Sequence, residues 1–240
     1  MHPGTATSRK APARLMILSI VAALALLGWQ LLGRAQDAGV RLPAPALDPP
    51  AASPSEETAV LAGGCFWGMQ AVFQHVKGVD RVLAGYSGGT VPSPSYEEVS
   101  SGATGHAESV EVRFDPRQVS YGRLLQVFFS VAHDPTELDR QGPDDGTQYR
   151  SAIFFANDRQ KRIAAVYIAQ LQAARLFPSP IVTEVTALTA FYPAEAYHQD
   201  FALHHPDYPY IAINDLPKVG NLKRLFPDLY RDAPVTVSSN

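Results

Sequence analysis

Residues 107–114 alternate between apolar and polar side chains, and this pattern constrains the fold more than any other part of the sequence. Val110, Val112 and Phe114 occupy one parity, whereas the residues between them are polar or charged. Successive side chains of a β-strand point to opposite faces of the sheet, so the pattern predicts a strand with one buried face. Such a strand needs a second layer of structure to cover its apolar face.

Strand-like and helix-like segments alternate along the rest of the chain. Apolar residues at three- and four-residue spacing predict a helix that begins at Cys65 and stops at Gly78, a helix over 121–132, and a helix from Asn157 to about Leu176. The other predicted segments are strands at 58–62, 79–86, 150–155 and 181–188 and a short helix at 95–100. The sequence contains no internal repeat and no dinucleotide-binding fingerprint. This order favours an open α/β sandwich in which helices cover one mixed sheet.

The composition argues against a nucleic-acid partner and against a structural metal site. The chain has 240 residues, of which 46% are hydrophobic and 18% are charged, and its net charge is −3. It has no dense block of Lys or Arg, so we predict no nucleic-acid partner. About 175 residues remain after the N-terminal segments are set aside, which corresponds to one domain. A domain of that size buries enough apolar surface without disulfides or metals, and we predict no metal site.

The N-terminal region predicts export. Three basic residues precede the uncharged run 15–33, whose 19 residues span about 28 Å as a helix. That length approaches the hydrocarbon thickness of a bilayer, so the run predicts a signal anchor over residues 1–33. A cleaved signal peptide is the alternative, because Ala35 and Ala38 are small residues suited to a cleavage site. Basic residues before the span place the rest of the chain in the periplasm, anchored to the inner membrane.

A proline-rich segment follows at 34–57. Its composition of Pro, Ala, Ser and acidic residues favours extended, solvated conformations, so we interpret it as a linker that tethers the domain. The predicted domain covers 58–232, and 233–240 is a C-terminal tail.

Cys65 is the only cysteine in the chain, so no disulfide can form within it. The sequence Gly63-Gly64-Cys65 joins a predicted strand to a predicted helix, which places the thiol where free amide hydrogens and the helix dipole favour a thiolate. We therefore expect a reactive thiol with a lowered pKa. Phe66 and Trp67 would form an apolar wall beside it. The alternative is an inert, buried cysteine.

Glu108 shares the parity of Val110 and Val112, which directs its carboxyl to the apolar face of the predicted strand. A desolvated carboxyl has a raised pKa and can act as a general acid near neutral pH. A strand-end glutamate that reaches solvent is the alternative. Tyr96 and Tyr149 lie in polar loops, and either could donate a phenolic hydrogen bond or simply pack.

Several segments across 58–230 resemble the A-type peptide-methionine (S)-S-oxide reductases, in the same order. The similar segments are GCFWG at 64–68, AGYSGG at 84–89, PSYEEVSSGATGHAE at 94–108, HDPTELDRQGPDDGTQYRSAIF at 133–154, AEAYHQDF at 194–201 and PYIAINDLPKV at 209–219. The resemblance implies an α+β fold, a two-layer sandwich with a ferredoxin-like mixed sheet. It also implies reduction of methionine S-sulfoxide, free or within peptides and proteins.

The resemblance assigns roles to two catalytic residues. Cys65 corresponds to the nucleophile that attacks the sulfoxide sulfur and becomes a sulfenic acid, and Glu108 corresponds to the acid that protonates the sulfoxide oxygen.

Five further residues correspond to the family's substrate-binding residues. The resemblance implies that Tyr96 and Tyr149 polarise the oxygen, that Asp144 orients the site, and that Phe66 and Trp67 enclose the S-methyl group.

The chain departs from many members of this family because it lacks C-terminal resolving cysteines. We therefore expect an external thiol, either a thioredoxin-like protein or a small molecule, to reduce the oxidised Cys65. No bound cofactor is expected, and a monomer is the simplest state.

Three other functions compete with this one. A cysteine hydrolase needs a histidine beside Cys65, a metal-binding module needs a histidine cluster, and a tethered binding protein needs neither. The histidines available for the first are His75, His106, His133 and His198, and those for the second are His198, His204 and His205.

Overall fold

The computed structural model describes residues 39–49 and 56–237. The predicted signal anchor at 15–33 lies outside the described residues. Within the described part, no helix has both the length and the apolar character needed to cross a membrane.

Within the described residues, eight strands form one large sheet and one small two-stranded sheet. The strands are β1 (Glu57–Ala62), β2 (Val79–Ser87), β3 (Ala107–Phe114), β4 (Arg140–Gln141), β5 (Asp144–Asp145), β6 (Ala152–Phe155), β7 (Glu184–Ala187) and β8 (Phe191–Pro193). The large sheet has the order β7-β6-β1-β3-β2-β8, and β4 pairs with β5 alone. Neighbouring strands in the large sheet pair antiparallel, except for β6 and β7, which pair parallel. The predicted mixed sheet is confirmed.

Six α-helices accompany the sheet in the part of the chain that the structure describes. They are α1 (Phe66–Gln74), α2 (Tyr96–Ser100), α3 (Tyr121–Val127), α4 (Asp158–Ala173), α5 (Phe201–His204) and α6 (Leu216–Leu225). Two π-helical segments, Phe128–Ala132 and Ile211–Asp215, continue α3 and precede α6. Single 3-10 turns occur at Thr147–Tyr149 and Ala196–His198.

The predicted strand at 107–114 is confirmed as β3, which lies between β1 and β2. Val110, Val112 and Phe114 are fully buried in the main core, together with side chains of α1, α3, α4 and α6. Ala107 has the opposite parity and lies in a smaller apolar cluster on the other face of the sheet. The helices thus cover one face, which is the predicted α+β two-layer arrangement.

The boundaries of the other predicted elements differ by a few residues. The helix predicted at 121–132 changes to π geometry at Phe128, and the helix expected to end near Leu176 ends at Ala173. The short strands β4, β5 and β8 have two or three residues each and were not predicted. Segments this short carry no readable periodicity.

The tether interpretation of 34–57 does not hold for 39–49, which pack on the domain. Leu42 is buried in the main core. The Tyr167 hydroxyl donates a hydrogen bond to the Pro43 carbonyl at 2.8 Å, and the Gln170 amide donates to the Ala44 carbonyl at 3.0 Å. An extended, proline-rich segment has no internal hydrogen bonds, so its carbonyls are free to accept from the side chains of α4.

The described part of the predicted C-terminal tail also contacts the domain. The Val235 amide donates to the Gln74 carbonyl at 3.1 Å, and the Val237 amide donates to the Asp200 carboxylate at 3.0 Å. The tail therefore fastens to the C-terminal end of α1.

Replacement of Asp48 tests whether the segment 39–49 stabilises the domain. The Asp48 carboxylate accepts hydrogen bonds from the Ser120 hydroxyl and from the Gly122 amide, the latter at 3.1 Å, at the start of α3. Since an anion at a helix N-terminus satisfies free amides, Asp48→Ala should lower the free energy of unfolding by about 1 kcal/mol. Urea denaturation measures this, with the exposed Asp207→Ala as the control. Equal unfolding midpoints for the two variants would mean that the contact contributes nothing.

Candidate active site

Cys65 lies in the tight turn that joins β1 to α1, immediately before the first helical residue. Gly64 has a φ of +88°, and a Cβ at this position would lie 2.5 Å from the Gln141 side chain. The turn therefore needs glycine for both its conformation and its close packing. The Cys65 side chain is 8% exposed, so the sulfur lies just below the surface.

The expected lowering of the Cys65 pKa is wrong for the free protein. Burial raises the pKa of the thiol well above its ordinary value, and the neighbouring Glu108 and Asp215 carboxyls raise it further. The Trp67 amide and the Lys218 ammonium oppose this effect but do not cancel it. The helix N-terminus acts as expected through its amide, but desolvation outweighs it. At neutral pH Cys65 is therefore a thiol.

Glu108 lies directly beneath the start of α1. Its carboxylate accepts a hydrogen bond from the Phe66 amide at 2.9 Å, and its side chain is 2% exposed. Burial raises the pKa of Glu108 to about 8, against the opposing effect of the Phe66 hydrogen bond. Its strand parity is as predicted, and the carboxyl carries a proton at neutral pH, which general acid catalysis requires.

Phe66 and Trp67 belong to a cluster of aromatic rings at the first turn of α1. Phe66 is buried, whereas Trp67 is partly exposed and stacks on Phe201 with 4.0 Å between ring centroids. The Trp67 indole N–H donates a hydrogen bond to His198 Nδ1 at 3.2 Å. The stacking and the hydrogen bond thus hold the Trp67 ring from two directions. The Tyr210 ring meets it edge-on, with 6.1 Å between ring centroids.

The structure brings both predicted phenols near Cys65 and Glu108. Tyr96 is the first residue of α2, and Tyr149 lies in the 3-10 turn before β6. Burial raises the pKa of each phenol, and the nearby acidic groups of Glu108 and Cys65 raise it further when they ionise. Both hydroxyls therefore stay protonated and can donate hydrogen bonds at physiological pH.

Asp144, in β5, accepts a hydrogen bond from the Tyr210 hydroxyl. Burial raises the pKa of Asp144, whereas this hydrogen bond lowers it. Asp144 also contributes to the raised pKa of Glu108, which places its charge near the predicted acid. The predicted orienting residue thus holds a tyrosine that sequence reasoning had not singled out.

Comparisons with known proteins agree with this geometry. The family described as "Peptide methionine sulfoxide reductase" matches residues 57–228. The chain is 62% identical to a protein from Mesorhizobium japonicum called peptide methionine sulfoxide reductase MsrA 2, over 78% of this chain and 96% of that protein.

Two solved structures are also similar. Methionine sulfoxide reductase A of Corynebacterium diphtheriae is 36% identical with a TM-score of 0.56, over 70% of this chain and 88% of that one. Reduced Mxr1 from Saccharomyces cerevisiae is 32% identical with a TM-score of 0.57, over 63% and 86%.

The chain belongs to the A-type peptide methionine sulfoxide reductase family. It is an oxidoreductase that reduces methionine sulfoxide to methionine and so repairs oxidised proteins. The reductase relies on thiol chemistry and on an external thiol reductant, since its 240 residues contain a single cysteine.

The histidines of the alternative functions have other partners. Among those considered for a hydrolase, His75 bonds to the Ala71 carbonyl and His106 to the Gly89 amide. His133 bonds to the Ser151 hydroxyl, and His198 bonds to the Trp67 indole. His204 and His205 are exposed, whereas His198 is buried among aromatic rings. Within 39–49 and 56–237 no group of three or more His, Cys, Asp or Glu residues is arranged to hold a metal ion.

Sequence reasoning missed several residues around the pocket of the reductase. Tyr210, Asp215 and Lys218 had no predicted role at this site, and His198 had one only in the alternative hydrolase. Glu195 had none either, and its carboxylate accepts from the Tyr86 hydroxyl and the Tyr96 amide, both at 2.9 Å. Glu195 and His198 belong to the similar segment 194–201, and Tyr210, Asp215 and Lys218 belong to 209–219. That resemblance was the one available signal, because these residues come from segments distant in sequence from Cys65.

The raised pKa of Glu108 predicts the pH dependence of the reductase. If Glu108 protonates the sulfoxide oxygen, kcat/KM should stay level at neutral pH and fall as the pH rises through about 8, because loss of the Glu108 proton removes the acid. A pH profile with methionine sulfoxide and dithiothreitol measures this. Glu108→Gln has no group to titrate there, so its residual activity should lack the fall. A wild-type rate that instead climbs through pH 8 would show that ionisation of Cys65 limits the reaction.

Proposed function

We propose that Cys65 is the nucleophile and Glu108 the general acid in reduction of the S epimer of methionine sulfoxide. The observation that carries this proposal is the position of the two groups at one helix start. The Glu108 carboxyl is bonded to the amide of Phe66, the residue that follows Cys65. A protonated acid and a thiol therefore face the same small, largely dry space.

The protonation states of Cys65 and Glu108 in the free protein support a simple scheme of proton transfer. Both Cys65 and Glu108 carry protons at neutral pH. Glu108 gives its proton to the sulfoxide oxygen as Cys65 sulfur attacks the sulfoxide sulfur, and the resulting carboxylate receives the thiol proton. The S–O bond of the substrate and the transient bond between the two sulfurs then break. The oxygen ends on Cys65 as a sulfenic acid, the substrate leaves as methionine, and no net proton is taken up or released.

Donors already in place stabilise the charge that develops on oxygen. The phenols of Tyr96 and Tyr149 stay protonated and lie near Glu108, so they suit this task. Phe66 and Trp67 form the apolar surface that receives the S-methyl group, with Trp67 held by stacking and by its indole hydrogen bond. Asp144 acts through Tyr210 to keep this side of the pocket in place.

Regeneration needs two external thiols. The first condenses with the sulfenic acid of Cys65 to give a mixed disulfide and water, and the second releases the Cys65 thiol and a disulfide. A thioredoxin-like protein or a small thiol supplies both.

The reductase acts outside the cytoplasm, anchored to the inner membrane through residues 15–33. The basic residues before that uncharged run support this orientation. A monomer suffices, because every proposed site residue comes from one chain.

Separated epimers test the proposed chemistry. With dithiothreitol present, the wild type should reduce methionine S-sulfoxide and leave the R epimer unchanged. Cys65→Ser should be inactive because it lacks the nucleophile, and Glu108→Gln should lose about 10²- to 10⁴-fold in kcat, since it lacks the acid. Tyr197→Phe, an exposed position, is the control and should retain full activity. Full activity of Cys65→Ser would rule out the proposed nucleophile.

Fractionation of cells tests the proposed location. The full chain should sediment with membranes, resist a carbonate wash and keep its N-terminus, because 15–33 is long enough to span a bilayer. A chain with four leucines of that run changed to lysine serves as the control and should not be exported. A soluble mature protein that begins after Ala35 or Ala38 would contradict the anchor.

A further inference from the structure

A second charged pair lies against the first turn of α1. Gly68 is the third residue of this helix, and a Cβ there would overlap Asp215 Oδ1 and would lie 3.1 Å from Lys218 Nζ. The ends of both side chains therefore occupy the place that a side chain at 68 would fill. They reach it from the π-helical segment Ile211–Asp215 and from α6.

Asp215 is an unusual group in such a position. Its side chain is fully buried, and Oδ1 forms an ion pair with Lys218 Nζ at 3.4 Å. Among the described residues, no hydrogen-bond partner reaches Oδ2. A buried carboxylate oxygen without a partner is costly, so such groups commonly mark sites where a charge has a task.

Helical geometry places this pair beside the reactive thiol. Cys65 is the N-cap residue of α1, and its sulfur faces the amide of Trp67, the residue before Gly68. The Asp215–Lys218 pair at Gly68 therefore lies one residue further along the same first turn. The other ionisable groups that face Cys65 come from different elements. They are Glu108 of β3, Tyr96 of α2, Tyr149 of the 3-10 turn and Tyr210 before the π-helical segment.

We propose that Asp215 and Lys218 form a positioning pair that sets how readily Cys65 ionises during turnover. This inference rests on the proposed role of Cys65. It gives a role to two residues, Asp215 and Lys218, to which the resemblance assigned no role. Lys218 supplies the positive charge that stabilises the thiolate, and Asp215 holds the ammonium at the first turn of α1. Gly68 is required because any larger residue would displace both groups.

The opposite signs of the two charges make the proposal specific. Asp215 raises the pKa of Cys65 and Lys218 lowers it, so each removal should move thiol reactivity in its own direction. A purely structural contact would instead give two variants with similar losses. The two directions therefore separate an electrostatic role from a packing role.

Alkylation of Cys65 by iodoacetamide, followed across the alkaline range without sulfoxide, tests the pair. Because the thiolate is the species that reacts, the rate below the thiol pKa follows the thiolate fraction. Asp215→Asn should raise that rate about three- to tenfold, and Lys218→Met should lower it by a similar factor. Lys218→Arg keeps the charge and should restore a rate close to wild type.

Lys223→Met is the matched control, since Lys223 lies on the same helix and pairs with Asp232 at 2.9 Å, far along α6 from Gly68. Its alkylation rate should equal that of the wild type. Circular dichroism confirms that each variant is folded. Equal rates for Asp215→Asn, Lys218→Met and wild type, or a shift of both variants in one direction, would overturn the proposal. Since alkylation needs no turnover, this test does not depend on whether Cys65 attacks the sulfoxide.

Discussion

The hydrogen bond from the Phe66 amide to the Glu108 carboxylate is the contact on which the rest of the site depends. It fastens the first residue of α1 to the central strand β3, so the Cys65 thiol and the Glu108 carboxyl are held at one junction of helix and sheet. The same burial that makes the bond strong raises the pKa of Glu108 and of Cys65. The site therefore rests in a doubly protonated state with little charge, which a dry pocket can tolerate.

Much of this frame could be predicted because it depends on local pattern. The alternation over 107–114 places Glu108 on the buried face by parity alone, and the glycine pair before Cys65 marks the turn from strand to helix. The pKa of Cys65 could not be predicted in the same way. A helix start lowers the pKa, but burial and two carboxyls raise it, and their balance depends on packing that the sequence does not display.

Contacts between distant segments account for the other omissions. Asp215 and Gly68 are 147 positions apart in sequence. Only the fold shows that the Asp215 carboxyl occupies the space left by the absence of a side chain at Gly68. The segment 39–49 has the composition of a linker, yet Tyr167 and Gln170 of α4 satisfy its carbonyls. Composition describes what a segment can do alone, whereas these residues are ordered by the surface on which they lie.

A single-turnover experiment tests the central claim most directly. Reduced protein, freed of all added thiol, is mixed with an excess of methionine S-sulfoxide, and methionine and intact protein mass are measured together. One methionine should form per protein, and the mass should rise by one oxygen located on Cys65, because the chain holds no second thiol to reset it. Continued formation of methionine without added thiol, or oxygen found on any other residue, would contradict the account.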